Sequence, residues 1–227
     1  MLVMHSENPL TKGKNISMKH PGLAVTAACL LLAIQGSFAQ QREFGRGHDF
    51  GLGVIVGEPT GIVNGAIHIN DTQSAQARAD LLTAYNNLKN LPPGTTISAG
   101  ADLGALYPGP AGIPPGTYTS GSTMLVSTPL ILNAGGNANA VWVFQIGSSL
   151  TTGADVTLTG GAQQKNVYWV PTLDATIGVG TTFHGTIVSG RDVTAVTGAI
   201  INGRILAGAT TAGTIALQGA VVNVPAP

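Results

Sequence analysis

The stretch Thr181-Thr182-Phe183-His184-Gly185-Thr186-Ile187-Val188 lines up with Ala199-Ile200-Ile201-Asn202-Gly203-Arg204-Ile205-Leu206 at a displacement of 18 residues, and Gly180 maps onto Gly198 by the same shift. A further shift of 21 brings Gly219-Ala220-Val221-Val222-Asn223 onto the first part of the repeat. A period of roughly 20 residues is what one turn of a β-solenoid consumes, and it confines the chain to folds in which each unit stacks on its neighbour.

Alternation within the repeat then decides which side chains face the core. Phe183, Gly185 and Ile187 share one side of their strand, and Ile201, Gly203 and Ile205 share the equivalent side one coil later. His184, Thr186 and Val188 point the other way, as do Asn202, Arg204 and Leu206. A β-sandwich would also supply short alternating strands. The repeated inward glycine and the absence of clear two-residue hairpin turns favour the solenoid.

One segment breaks the pattern. Between Asp71 and Leu91, Ala77, Leu81, Ala84, Tyr85 and Leu88 recur at three- and four-residue spacing, with Asp71 or Thr72 as N-cap and Pro92-Pro93-Gly94 as terminator. The spacing predicts one long helix over about 72–91, its apolar stripe laid on the solenoid. The fold class is therefore mainly β, a solenoid with one α-helix alongside.

The N-terminus reads as an export signal. Lys12, Lys14 and Lys19 precede an apolar run from Leu23 to Ile34, followed by Ser37-Phe38-Ala39. Those twelve residues fall short of the roughly 20 needed to span a bilayer. Cleavage after Ala39 gives a signal peptide over 1–39, a flexible lead-in over 40–52 and one domain over 53–227, bound for the extracellular space, the periplasm or the cell surface. Removing Lys12, Lys14, Lys19 and Glu7 takes the balance from ten bases and ten acids to seven and nine, a net charge of −2. So weak a charge offers no basic stripe for nucleic acid and no electrostatic docking on anionic lipid. The single cysteine, Cys29, leaves with the signal, so stability rests on packing and backbone pairing.

Catalytic chemistry finds little support. His68 and His184 lie in the repeat-bearing region without ligands at metal-binding spacing, so neither a metal nor a cofactor is expected. Asp155, Asp174 and Asp192 fall in successive turns, as the carboxylates of a polysaccharide-cleaving β-helix would. Corner aspartates also form Asx-turns, however, and Trp142, Phe144, Tyr168, Trp169 and Phe183 alternate as core residues rather than as a sugar platform. Phosphate-binding loops and nucleophile elbows are missing from the sequence.

Several pieces in order resemble the microbial ice-binding-like proteins: Val63-Asn64-Gly65-Ala66-Ile67-His68, Ala75-Gln76-Ala77-Arg78-Ala79-Asp80-Leu81, Pro115-Gly116-Thr117-Tyr118, Asn139 to Gly147, Leu150-Thr151-Thr152, Asn166-Val167-Tyr168-Trp169 and Asn202-Gly203-Arg204. The resemblance implies an irregular right-handed β-helix flanked by one long helix. It also implies a longer N-terminal stretch before Gly53 than Gln40 to Leu52 provides. Its implied function is adsorption of a monomer to ice through a flat face carrying a loose Thr-Ala/Gly-x-Thr/Asn motif, with no enzymatic activity. Placed on this chain, the motif falls at four corners: Thr152-Gly153-Ala154-Asp155, Val179-Gly180-Thr181-Thr182, Thr197-Gly198-Ala199-Ile200 and Gln218-Gly219-Ala220-Val221. The expected ice-contact residues are Thr152, Ala154, Thr181, Thr182, Thr197, Ala199 and Ala220. Thr157, Thr159, Thr176 and Thr194 count as ordinary strand residues unless they share one plane. An adhesin or matrix protein using the same face is the alternative.

Overall fold

The computed structural model describes residues 71–224 together with four short strands before them, β1 (Glu43–Phe44), β2 (Asp49–Gly51), β3 (Ile62–Val63) and β4 (Ile67–Ile69). The expected signal peptide and its cleavage point lie outside the described residues.

After β4 comes α1 (Thr72–Lys89), opened by a capping box in which the Asp71 carboxylate accepts from the Ser74 backbone N–H at 2.7 Å and the Ser74 hydroxyl accepts from the Asp71 N–H at 2.9 Å. The chain then winds through successive coils. The first holds β5 (Thr95–Thr96), β6 (Ala101–Asp102) and the single turn α2 (Leu103–Leu106). Next come β7 (Gly116–Ser120), β8 (Met124–Val126) and β9 (Leu130–Asn133), then β10 (Trp142–Ile146), β11 (Leu150–Thr152) and β12 (Val156–Thr159). Later coils carry two strands each: β13 (Val167–Pro171) with β14 (Ala175–Ile177), β15 (Thr182–Val188) with β16 (Val193–Ala195), and β17 (Ile200–Leu206) with β18 (Ile215–Leu217), before β19 (Val221–Asn223).

Every pairing between these strands is parallel, which excludes the antiparallel sandwich. A seven-stranded sheet runs β19-β17-β15-β13-β10-β7-β5, a six-stranded sheet runs β18-β16-β14-β11-β8-β6, and β9 pairs with β12 on a short third side. The 18-residue repeat is the register of β15 on β17, with Thr182 opposite Ile200 and Val188 opposite Leu206. The shift of 21 is the register of β17 on β19.

Inside, aromatic rings stack along the axis. Tyr118 lies 5.4 Å from Phe144, Phe144 lies 3.9 Å from Trp169, and Trp169 lies 5.3 Å from Phe183. The indole N–H groups of Trp142 and Trp169 donate to the carbonyls of Ile113 and His184, so neither ring buries an unsatisfied donor. Gly185 and Gly203 occupy the inward place between the large residues. A side chain at Gly203 would strike the Gly185 carbonyl, and Gly185 itself sits at φ +118, closed to L side chains by both backbone and the adjacent Val167.

The outward side of the seven-stranded sheet is also buried where α1 covers it. Ala77, Leu81, Tyr85 and Leu88 pack on Val143, Val170, Val188, Leu206 and Ala209. Val188 and Leu206 thus face away from the solenoid core, as alternation requires, yet are almost fully enclosed by the helix. The helix ends at Lys89, slightly before the expected boundary, with Asn90 as its C-cap. The helix touches β2 and β4, while β1 pairs with β3 and lies beside β19 of the last coil.

Candidate functional site

The six-stranded sheet is built from segments of two or three residues. In β8, β11, β14 and β16 the outer two positions point inward and the centre points out: Met124 and Val126, Leu150 and Thr152, Ala175 and Ile177, Val193 and Ala195 are buried, whereas Leu125, Thr151, Thr176 and Thr194 are not. Register stacks these outward residues directly. Leu125 opposes Thr151, Thr151 opposes Thr176, Thr176 opposes Thr194, and Thr194 opposes Ala216. Neighbouring strands in a sheet lie about 4.8 Å apart, so three threonines on adjacent coils form an evenly spaced ladder of hydroxyl and methyl groups. Thr157 and Thr159 belong to β12 on the third side and do not join it.

The corners chosen from the sequence lie differently. Thr152, Thr181, Ala199 and Ala220 are 3%, 4%, 0% and 2% exposed. A residue flanking an outward centre must point inward, and Thr152 does. Its hydroxyl accepts from the Gly178 N–H at 3.2 Å, while the Thr181 hydroxyl donates to the Gly178 carbonyl at 2.9 Å. These two threonines clamp one corner from both sides, and burial removes them from any surface contact. Ala199 and Ala220 belong to the central core. Ala154 and Thr182 are half-buried, and Thr197 is exposed.

Three of the four corners are equivalent. The Gly180 N–H donates to the Thr197 carbonyl and the Gly198 N–H to that of Gly219, while Thr182, Ile200 and Val221 share one row. The corner at Thr152 is not one of them, because Thr152 pairs with Ile177 and its chain continues into β12, a strand the later coils lack.

The aspartates act as corner caps. Asp155 accepts from the Thr182 N–H and Asp192 from the Thr214 N–H, each at 2.7 Å. Asp174 receives both the Nε and Nη2 of Arg191, at 3.1 and 2.6 Å, and that guanidinium holds its carboxyl below the usual range. At Asp102 burial acts upward, but donation from the Thr128 hydroxyl and from the backbone N–H groups of Ser127, Thr128 and Gly104 outweighs it and lowers the pKa. Each of these carboxylates is engaged in a local hydrogen bond at a corner of the solenoid. His184 is likewise engaged. Its Nδ1–H donates to the Val156 carbonyl at 2.7 Å, and its Nε2 accepts from the Asn202 amide, whose oxygen accepts from Asn223. Among the described residues no cluster of three metal-ligating side chains occurs.

The row that the corner motif does not pick out is Thr151, with Thr176 and Thr194 in register above it. Its signal was present in the sequence as the apolar-Thr-apolar pattern of Ala175-Thr176-Ile177 and Val193-Thr194-Ala195, matched by Leu150-Thr151-Thr152.

Comparison with known proteins agrees with this architecture. The solved ice-binding protein of the Antarctic ascomycete Antarctomyces psychrotrophicus superposes with a TM-score of 0.75 at 31% identity, covering 90% of this chain and 98% of that one. The corresponding domain of Shewanella frigidimarina ice-binding protein 1 gives 0.71 at 25% identity, covering 91% and 98%. In sequence, an ice-binding protein of Nostoc sp. (strain HG1) is 39% identical over 183 residues, 77% of this chain and 66% of the Nostoc protein. The full-length Shewanella protein is 30% identical over 191 residues, only 21% of its own length. The chain thus spans two thirds or less of the curated relatives it matches, but nearly the whole of the solved domains. With the sequence profile of that family also matching residues 44–223, the chain belongs to the ice-binding-like family.

Proposed function

We propose that this protein is exported and, as a cofactor-free monomer without enzymatic activity, adsorbs to ice through the outward row of the six-stranded sheet. The observation that carries the reading is the direct register of Thr151, Thr176 and Thr194 on three adjacent coils. A surface that orders water into a lattice must be rigid, repetitive and poor in unneutralised charge. Parallel coils supply the first two properties. The third is served by Arg191, whose guanidinium pairs with the Asp174 carboxylate at the margin, while the Asp192 carboxylate is held by the Thr214 N–H. Adsorbed molecules would curve the ice front between them and slow its growth or recrystallisation. Relatives described as ice-binding proteins support this reading and lend none to the adhesin alternative.

The experiment is adsorption of purified residues 40–227 to a growing ice hemisphere, with recrystallisation inhibition as the second readout. Wild type is expected to be incorporated. Thr176→Tyr and Thr194→Tyr, with unchanged melting temperatures, are expected to be rejected, whereas Thr197→Tyr at the exposed corner is expected to behave as wild type. Rejection of the wild type sinks the function; full activity in both ladder variants sinks the face.

A further inference from the structure

We propose that Ala216 is the missing rung of the threonine ladder and sets the strength with which the face holds ice. This rests on the ice-adsorption reading above. The outward row has two ends, and they are chemically different. Beyond Thr151 the register places Leu125 and then Asp102. The Asp102 carboxylate is committed to the Thr128 hydroxyl at 2.7 Å and to backbone N–H groups at the corner. That end closes on a fixed charge, with Leu125 as an apolar spacer between the charge and the first threonine.

Among the described residues the other end of the row finishes on a methyl group. Ala216 stands directly opposite Thr194 in the same parallel register that joins Thr194 to Thr176. In its strand Ile215 is buried in the core and Leu217 packs against the core half-buried, which leaves half-buried Ala216 between them at the outward register position. A β-branched side chain is favoured at such a position. Threonine there would place a fourth hydroxyl about 4.8 Å beyond the third, in line with it. The chain therefore has backbone for four matched rungs and side chains for three.

The test compares Ala216→Thr with Ala216→Val, which has the same shape without the hydroxyl, by thermal hysteresis and ice-affinity partition at equal protein concentration. Ala216→Thr is expected to raise ice affinity roughly two- to tenfold, the effect of one net hydrogen bond, with Ala216→Val gaining less. Equal activity of Ala216→Thr and wild type, or an equal gain in both variants, overturns the proposal. Thr176→Tyr measured alongside separates the two readings. If it abolishes adsorption while Ala216→Thr changes nothing, the face stands and the missing rung does not; if it has no effect, the face itself is wrong. Melting temperatures of all variants guard against a folding defect.

Discussion

The side-chain amide of Gln145 donates to the main-chain carbonyl of Leu88 at 2.9 Å, joining the middle of a solenoid strand to the last turn of α1. The same amide reaches Lys89 and Leu91 carbonyls, and its oxygen accepts from the Thr119 hydroxyl at 2.7 Å. The final carbonyls of a helix have no intrahelical partner, so this one buried side chain, 4% exposed, supplies what water would otherwise provide. Lys89 adds a second tie, its ammonium donating to the Ile146 carbonyl and the Thr172 hydroxyl.

Gln145→Leu keeps the volume and removes both functions. Leaving buried carbonyls unpaired costs about 1–3 kcal/mol, and for a domain of this size each kcal/mol lowers the melting temperature by about 2–4 °C. Calorimetry or circular dichroism should show that loss. Ice adsorption below the transition should be unchanged, since the helix and the threonine row lie on different sheets.

Three glycines should separate by position. Gly203→Ala drives a methyl into the Gly185 carbonyl, and Gly185→Ala combines a forbidden φ with a clash on Val167. Each should cost upwards of about 1–3 kcal/mol. Gly153→Ala meets nothing within 4 Å and has no left-handed backbone, so it should be neutral or slightly stabilising. Urea midpoints for the three variants check the ordering.

Acid should act late on the Asp174–Arg191 pair. The folded pKa of Asp174 is depressed, first by the Arg191 hydrogen bonds, so its contribution is complete above the ordinary aspartate value of about 4 and is lost as pH falls through the lower folded value. The melting-temperature difference between wild type and Asp174→Asn should be constant from neutrality to about pH 5 and shrink only below the ordinary range. A difference that vanishes already at pH 5 would contradict the pairing. Exposure of both partners keeps the effect small.

His184 should be found as the Nδ1–H tautomer, since a carbonyl can only accept and Asn202 donates to the other nitrogen. Nitrogen-15 shifts of the ring report this directly. Asn202→Asp would oppose the Nε2 lone pair with carboxylate oxygen and should displace the ring or change its tautomer.

The solenoid was legible because its register is written in side chains: Phe183 and Ile201 must share the core if Gly185 and Gly203 do. The helix was legible from period and cap. The ladder was harder to read, because Thr152 and Thr151 are neighbours of identical chemistry and nothing in a motif search says which of them points out. Alternation from buried Leu150 decides it, and the corner motif drew attention to the inward residue instead. What sequence could not disclose was pairing across space. Gln145 under the helix end and Asp102 at the ladder's foot acquire their roles from residues more than 20 positions away.

Met124 pairs with Leu150, Leu150 with Ala175, Ala175 with Val193 and Val193 with Ile215, steps of 26, 25, 18 and 22 residues, yet each step advances the six-stranded sheet by one strand. The surplus of the longer coils is spent on the third side, in β9 and β12. Insertions and deletions there can reshape the outline of the molecule while leaving the six-stranded sheet in phase. The surface counts turns, not residues, so selection can lengthen or shorten the chain without renegotiating the lattice it presents.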